Sequence, residues 1–146
     1  MPCIYQGDEY GVPGANDPDN RDMMTFECEN EYQQKELAAT KVLFNYRRES
    51  MPLMYGDYRT LYVDDAVWVF LRHYMGDWVV VAMNIREAKR EVIAELPSFV
   101  TCDAVECGEC TGFDVDIATE GANVVCCGGG NMQVTLPGYG YVIVSK

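Results

Sequence analysis

Four groups of residues have types and spacing that could do chemistry. Asp8 and Glu9 are adjacent carboxylates, residue types that general acid/base work uses in pairs. Neighbouring residues on an extended segment point apart, however, so the two cannot flank one bond. Cys107-Gly-Glu-Cys110 has the spacing of a metal knuckle, and Cys126-Cys127 follow sixteen residues later. A zinc ribbon needs a second such knuckle, and adjacent strand residues face opposite ways. His73, the single histidine, is too far away to complete a mixed Cys/His set. Structural thiols are therefore favoured over a zinc or redox site, because a buried free cysteine behaves as a small hydrophobe. No cofactor and no metal are expected. Trp68 and Trp78, with ten tyrosines, could supply a stacking platform for a ligand. Both tryptophans fall inside strand patterns, where core or cross-strand packing is the default. His73 ends a strand beside Arg72 and reads as a surface residue without a partner.

Composition narrows the partners. The 146 residues carry 11 Lys+Arg against 23 Asp+Glu, for a net charge of −12. After Arg90 the only cation is Lys146. Such a surface repels phosphate backbones, which excludes nucleic acid and anionic membranes as natural partners. No apolar run approaches the roughly 18 residues of a membrane span, and no basic segment followed by an apolar stretch opens the chain, so no signal peptide is expected. Seven cysteines is an odd count, which fits a reducing compartment and a cytoplasmic location.

The elements that must position these groups fall into two unlike parts. Met1–Tyr5 reads as a short opening strand, followed by an irregular loop to residue 28 rich in Gly, Pro, Asp and Asn. A loop this long is uncommon unless it serves a site. Residues 30–48 read as a helix, with Asn30 and Gln33 approximating a capping box. Ala39, Val42, Leu43 and Tyr46 make its apolar face, and Arg47 and Arg48 complement the dipole of its last turn. Met51-Pro52 should stop it.

From Leu53 onward the apolar period becomes two. Strands are expected near 55–62, 66–74, 77–84, 89–95, 100–106, 112–117, 122–127, 131–136 and 139–145. Asp64-Asp65 and Gly76-Asp77 would turn the first two hairpins. Many short strands at this spacing predict an antiparallel β-sandwich or barrel. The predicted organisation is thus 1–50, a strand, loop and helix, and 51–146, an all-β domain. A strand–loop–helix unit is not a fold by itself, but it is what the last repeat of a (β/α)₈ barrel looks like. The chain is too short for a complete barrel, which takes about 250 residues.

The most specific stretch is Met1-Pro2-Cys3-Ile4-Tyr5-Gln6-Gly7-Asp8-Glu9-Tyr10-Gly11. It resembles the end of the eighth barrel strand in the α-amylase superfamily, glycoside hydrolase family 13. Gly14-Ala15-Asn16-Asp17-Pro18-Asp19-Asn20-Arg21 then resembles the loop of its cyclodextrin-processing members, of the neopullulanase or cyclomaltodextrinase type. Leu43, Tyr46-Arg47, Pro52-Leu53 and Gly56 follow the family's final barrel helix and its exit. Thr111-Gly112 and Leu136-Pro137-Gly138-Tyr139-Gly140-Tyr141 are similar to its C-terminal β domain. The Cys-rich stretch 102–127 departs from the family pattern.

The resemblance implies the C-terminal part of an α-glucan hydrolase, comprising strand eight, loop and helix eight, then a Greek-key type β-sandwich. It implies that the nucleophilic Asp, the acid/base Glu and a substrate-holding Asp all precede this chain, so the chain alone should be inactive, structural and supportive. The rest of the catalytic barrel is the implied partner, and Asp8 and Glu9 become structural residues. Asp17 and Arg21 are the implied substrate-binding residues, contacting sugar hydroxyls of an α-glucan oligosaccharide. Asp offers acceptors and Arg a fork of donors, which suits vicinal hydroxyls. In the isolated chain, a clasp between Asp17 and Arg21 is the favoured reading. The apolar opening would lack its barrel neighbours, and a homodimer through it is one way to cover it. A free-standing carbohydrate-binding β module is the alternative function; a Cys-based metal or redox module is a weaker one.

Overall fold

In the sequence Val67-Trp-Val-Phe-Leu71 every second residue is a small or branched hydrophobe, the pattern of a strand with one face buried. A computed structural model describes residues 3–14, 16–21, 23–100 and 113–145. Contacts divide the chain into two units, Met1–Ser50 and Met51–Lys146.

The first unit holds two 3₁₀ turns, Asp8–Tyr10 and Asp19–Arg21, and one long helix, α1 (Glu31–Glu49). Of the expected opening strand, Met1 and Pro2 lie outside the described residues, and Cys3, Ile4 and Tyr5 have no strand pairing. An apolar run is a local signal, whereas a strand exists only when a neighbour accepts its hydrogen bonds. Asn30 caps α1, its Oδ1 accepting from the Gln33 N–H at 2.9 Å. The Gln33 side chain reaches back one residue further than in a standard capping box and accepts from the Glu29 N–H at 2.6 Å. Ala39, Leu43 and Tyr46 are half-buried as the periodicity requires, but Val42 is exposed. Ser50 turns extended and ends the helix. Among the described residues of this unit, only Gln33 is buried.

The second unit begins with a short helix the sequence did not suggest, α2 (Met51–Tyr55). Pro52 ends nothing here. It occupies the first turn of α2, where its missing N–H costs no hydrogen bond and its fixed φ favours the helix. Eight strands follow: β1 (Asp57–Val63), β2 (Val67–Tyr74), β3 (Asp77–Asn84), β4 (Arg90–Glu95), β5 (Asp114–Ala118), β6 (Asn123–Gly128), β7 (Asn131–Leu136) and β8 (Tyr141–Ser145). The expected strand 100–106 and the start of 112–117 lie outside the described residues, except for Val100, which is not in a strand.

All pairings are antiparallel. One sheet has the order β1-β2-β3-β8-β5 and the other β4-β7-β6. This is the antiparallel β-sandwich that the strand spacing predicts. β2 and β7 alternate buried and solvent-facing residues. β3, inside its sheet, is buried along nearly its whole length, so its sequence is a continuous apolar run. Val67, Val69 and Leu71 of β2, Val142 and Val144 of β8, and Met132, Val134 and Leu136 of β7 meet between the sheets. Fully burying such a side chain contributes about 1.5–3 kcal/mol, so this layer dominates the stability of the unit.

The hairpins refine the sequence reading. Asp64 and Asp65 do turn β1 into β2. The second turn centres on Met75-Gly76, both at positive φ, and Asp77 already pairs with Tyr74 as the first residue of β3. A two-residue turn with both central φ positive matches the twist of the strands, and glycine tolerates it at position 76.

Candidate functional site

Asp17 precedes the second 3₁₀ turn and Arg21 closes it, and their i,i+4 spacing brings the side chains together. Arg21 grips the carboxylate with two nitrogens: Nη2 donates to Oδ2 and Nε lies against Oδ1, each at 3.0 Å. Both side chains are more than half exposed. The turn is held by the Asp19 N–H donating to the Asn16 carbonyl and the Arg21 N–H to the Pro18 carbonyl, each at 2.9 Å. This fork-on-carboxylate geometry offers planar acceptors and donors side by side, the shape that suits neighbouring sugar hydroxyls.

The first 3₁₀ turn shows what Asp8 and Glu9 do. Asp8 Oδ2 accepts from the Tyr5 N–H at 2.9 Å, and Glu9 Oε2 accepts from the Gly7 N–H at 3.1 Å. Two carboxylates therefore cap the backbone of one loop. Between this loop, the second 3₁₀ turn and the start of α1 lies an open cleft of about 570 Å³. Asp8, Asp19, Asn20, Met23, Met24 and Gln33 contribute to its walls; the Asp17–Arg21 pair is not among them.

In the second unit the thiols are spread. Cys126 is half-buried against the core, and the next residue, Cys127, is exposed, its Sγ near the Val125 carbonyl and Gln133 Oε1. Cys102, Cys107 and Cys110 lie outside the described residues. Among the described residues no group of three or more His, Cys, Asp or Glu is placed to hold a metal. His73 is not a bare surface residue. It is half-buried, its ring 4.5 Å from that of Phe99. Trp78 is in the core, edge-on to Phe113 at 5.8 Å. Trp68 packs across the hairpin, 4.9 Å from Phe70 and 6.2 Å from Tyr58, with part of its surface in water.

Two polar clusters escaped the sequence reading. Asp64 accepts from the Ala66 and Val67 N–H groups, from Tyr62 Oη and from Arg90 Nη2 at 2.7 Å. These donors, the Val67 and Ala66 amides first, hold its carboxyl far below the usual carboxylate range. Arg90 belongs to the other sheet, so this cluster ties the two sheets at one edge. Asn84, 3% exposed, donates to the Ala88 and Pro137 carbonyls at 2.8 and 2.9 Å and accepts from the Arg86 N–H at 3.0 Å. It joins the end of β3 to the 137–140 turn. The only local signal for either was a polar residue at a strand end.

No protein-family model matches the chain. Over 94 residues it is 42% identical to the cyclomaltodextrinase of Thermoanaerobacter pseudethanolicus, covering 64% of this chain and 16% of that protein. Over 98 residues it is 34% identical to neopullulanase 2 of Thermoactinomyces vulgaris, covering 66% of this chain and 17% of that one. The debranching enzyme of Nostoc punctiforme matches 98% of the chain with a TM-score of 0.73 and 24% identity, over 27% of its own length. The chain thus spans less than a third of each of these proteins. In sequence it is a relative of cyclomaltodextrinase and neopullulanase. In fold it matches glycoside hydrolase family 13 debranching enzymes and amylases, with the antiparallel sandwich of their C-terminal domain.

Proposed function

We propose that this chain is the C-terminal part of an α-glucan hydrolase of glycoside hydrolase family 13, joining the last β/α unit of its barrel to the β-sandwich that follows. What carries this reading is the surface of the first unit. It buries no apolar side chain among its described residues, while Met23 and Phe26 are 91% and 78% exposed and Ile4, Tyr5 and Val12 also face solvent. A loop and helix of this composition need a covering surface, since exposed apolar patches of this kind mark interfaces. The preceding repeats of a barrel supply one. The sequence likeness to cyclomaltodextrinase supports the same assignment.

On this reading the chain is a structural and substrate-positioning element. Retaining glycoside hydrolysis needs two carboxyl groups about 5–5.5 Å apart, one as nucleophile and one as acid/base. Asp8 and Glu9 are engaged with backbone amides and serve the loop. The catalytic pair comes from the barrel, acting on an α-glucan in the cytoplasm. Asp17 and Arg21 hold a sugar away from the scissile bond. Without sugar they clasp each other, and breaking an exposed pair costs at most about 1 kcal/mol, so sugar hydroxyls can replace it.

The test is a chimera in which this chain replaces the matching C-terminal part of the Thermoanaerobacter pseudethanolicus cyclomaltodextrinase. A folded chimera that releases reducing ends from maltohexaose, with none released by the chain alone, is the expected result. Hydrolysis by the chain alone, or a folded chimera without activity, refutes the proposal. In that chimera Arg21→Ala should lower kcat/KM for maltohexaose roughly ten- to a hundredfold, the loss of one charged hydrogen bond, and for maltotriose much less. Equal losses on both substrates would reduce the pair to a loop clasp.

A further inference from the structure

Glu9 reaches back two residues to the backbone of Gly7, its Oε2 accepting from the Gly7 N–H at 3.1 Å. Glu9 is half-buried, whereas its neighbour Asp8, which caps Tyr5, is exposed. Gly7 is the hub of the loop. Its φ is 93°, which side chains rarely tolerate, and its carbonyl accepts from the Tyr10 and Val12 N–H groups at 3.1 and 3.0 Å. Its bare Cα leaves room for Val12, since a Cβ placed there would lie 3.1 Å from the Val12 Cβ. Two residues on, Gly14 rests against Asn20: a Cβ on Gly14 would sit 3.8 Å from the Asn20 Cα. Asn20 is the middle residue of the 3₁₀ turn that ends in Arg21. Contacts therefore run without a break from the Glu9 carboxylate through Gly7, Val12 and Gly14 to the turn that bears the Asp17–Arg21 pair. The same residues Gly7, Val12, Gly14 and Asn20 border the open cleft. Among the described residues of this unit only Gln33 is buried, so hydrogen bonds and backbone contacts, not a packed core, fix where that turn stands.

We infer that Glu9 is a positioning residue for the substrate-binding loop: by fixing Gly7 it holds the second 3₁₀ turn, and with it Asp17 and Arg21, where they meet the hydroxyls of a long α-glucan. That Asp17 and Arg21 meet sugar at all rests on the function proposed above; Glu9 itself touches none. The Asp17–Arg21 pair is too exposed to fix its own place, because a solvated ion pair contributes little to holding a loop. A charged hydrogen bond to a distant sugar also depends on placement, and a shift of about 1 Å weakens it. Coupling through a run of contacts of this kind changes an affinity roughly two- to thirtyfold. Losing the Arg21 guanidinium itself costs more, so Glu9 acts as a partial effect exerted through that group.

The folded chimera tests this with maltohexaose and maltotriose. Glu9→Ala should lower kcat/KM for maltohexaose roughly two- to thirtyfold and leave that for maltotriose nearly unchanged. Glu9→Gln keeps an oxygen that accepts from Gly7 and should retain the wild-type ratio of the two substrates. A double-mutant cycle is decisive. In the Arg21→Ala background, Glu9→Ala should cost maltohexaose hydrolysis nothing further, because the group it positions is gone. A Glu9 that only stabilises the fold gives the opposite pattern, with equal losses on both substrates and losses that add. Amide exchange measured by NMR on the full chain reads the same coupling without activity. In Glu9→Ala the Asp19 and Arg21 N–H groups, each bonded at 2.9 Å in the wild type, should exchange roughly two- to thirtyfold faster, with the amides of α1 unchanged. Additive losses in the cycle, an unchanged substrate ratio in Glu9→Ala, or no response of exchange at Asp19 and Arg21 would overturn the inference. An inactive wild-type chimera refutes the function proposed above, and the exchange then still decides whether Glu9 holds the turn.

Discussion

Replacing Asn84 with Ala removes three hydrogen bonds from a side chain that is 3% exposed, two donated to the Ala88 and Pro137 carbonyls and one accepted from the Arg86 N–H. At about 1 kcal/mol each, the loss is about 3 kcal/mol. Two features limit it. Pro137 O keeps the Gly140 N–H as a donor at 3.1 Å, and Ala88 and Arg86 are exposed enough for water to reach them. The expected cost is therefore about 2–3 kcal/mol, which in a domain of this size lowers Tm by roughly 10–20 °C. Asn84→Asp should be worse at pH 7, although it is nearly the same size. It keeps the acceptor for Arg86 but sets a buried carboxylate against two carbonyl oxygens at 2.8 and 2.9 Å, which repel it. Its carboxyl is then harder to ionise in the folded state than in the unfolded one. A raised folded pKa adds stability below the unfolded value, so the deficit of this variant should shrink as pH falls. Urea unfolding of the full chain at pH 7 and pH 4, with unchanged slopes, measures both variants. An Asn84→Ala loss under about 1 kcal/mol, or an Asp variant as stable as the wild type at pH 7, would refute the reasoning.

The Asp64 carboxyl sits below its ordinary value of 3.8, so its stabilising bonds are fully present above that value and are lost as pH falls through the folded pKa. Urea midpoints should show a gap between wild type and Asp64→Asn that is constant from pH 7 to 5 and narrows in acid. Leu136→Ala empties a fully buried site between the sheets and should cost about 2–5 kcal/mol by the same denaturation assay.

What could be read from residues alone follows the range of each signal. Strand alternation and turn residues act over a few positions, and they place all eight described strands to within about two residues. The Asp17–Arg21 clasp is likewise a matter of i,i+4 spacing. Three features depended on neighbours distant in sequence. Cys3, Ile4 and Tyr5 end an apolar run that reads as a strand, but pairing, not pattern, makes one. Asp64 reads as a turn residue, while its reach to Arg90, twenty-six positions away on the other sheet, leaves no local trace. Tyr58, Trp68 and Phe70 become one patch only through the β1–β2 register. Pro52 misled for a different reason. The same residue that closes one helix is well suited to open the next, and only the extended backbone of Ser50 between them separates the two outcomes.

The place of β8 has a bearing on how the sandwich is made. In the order β1-β2-β3-β8-β5, the last described strand lies between β3 and β5 and, among the described residues, supplies the sole hydrogen-bonded link between them. As the polypeptide leaves the ribosome, β1, β2 and β3 can form a meander through short turns, and β4, β6 and β7 can join in their own sheet. The larger sheet must wait with its centre open until Tyr141–Ser145 emerges. Val142 and Val144, on one face of that strand, then complete the apolar layer between the sheets. A nascent chain stalled, or a finished one clipped, a few residues before Tyr141 would leave two facing strand edges and an uncovered core, the kind of surface that chaperones and proteases recognise.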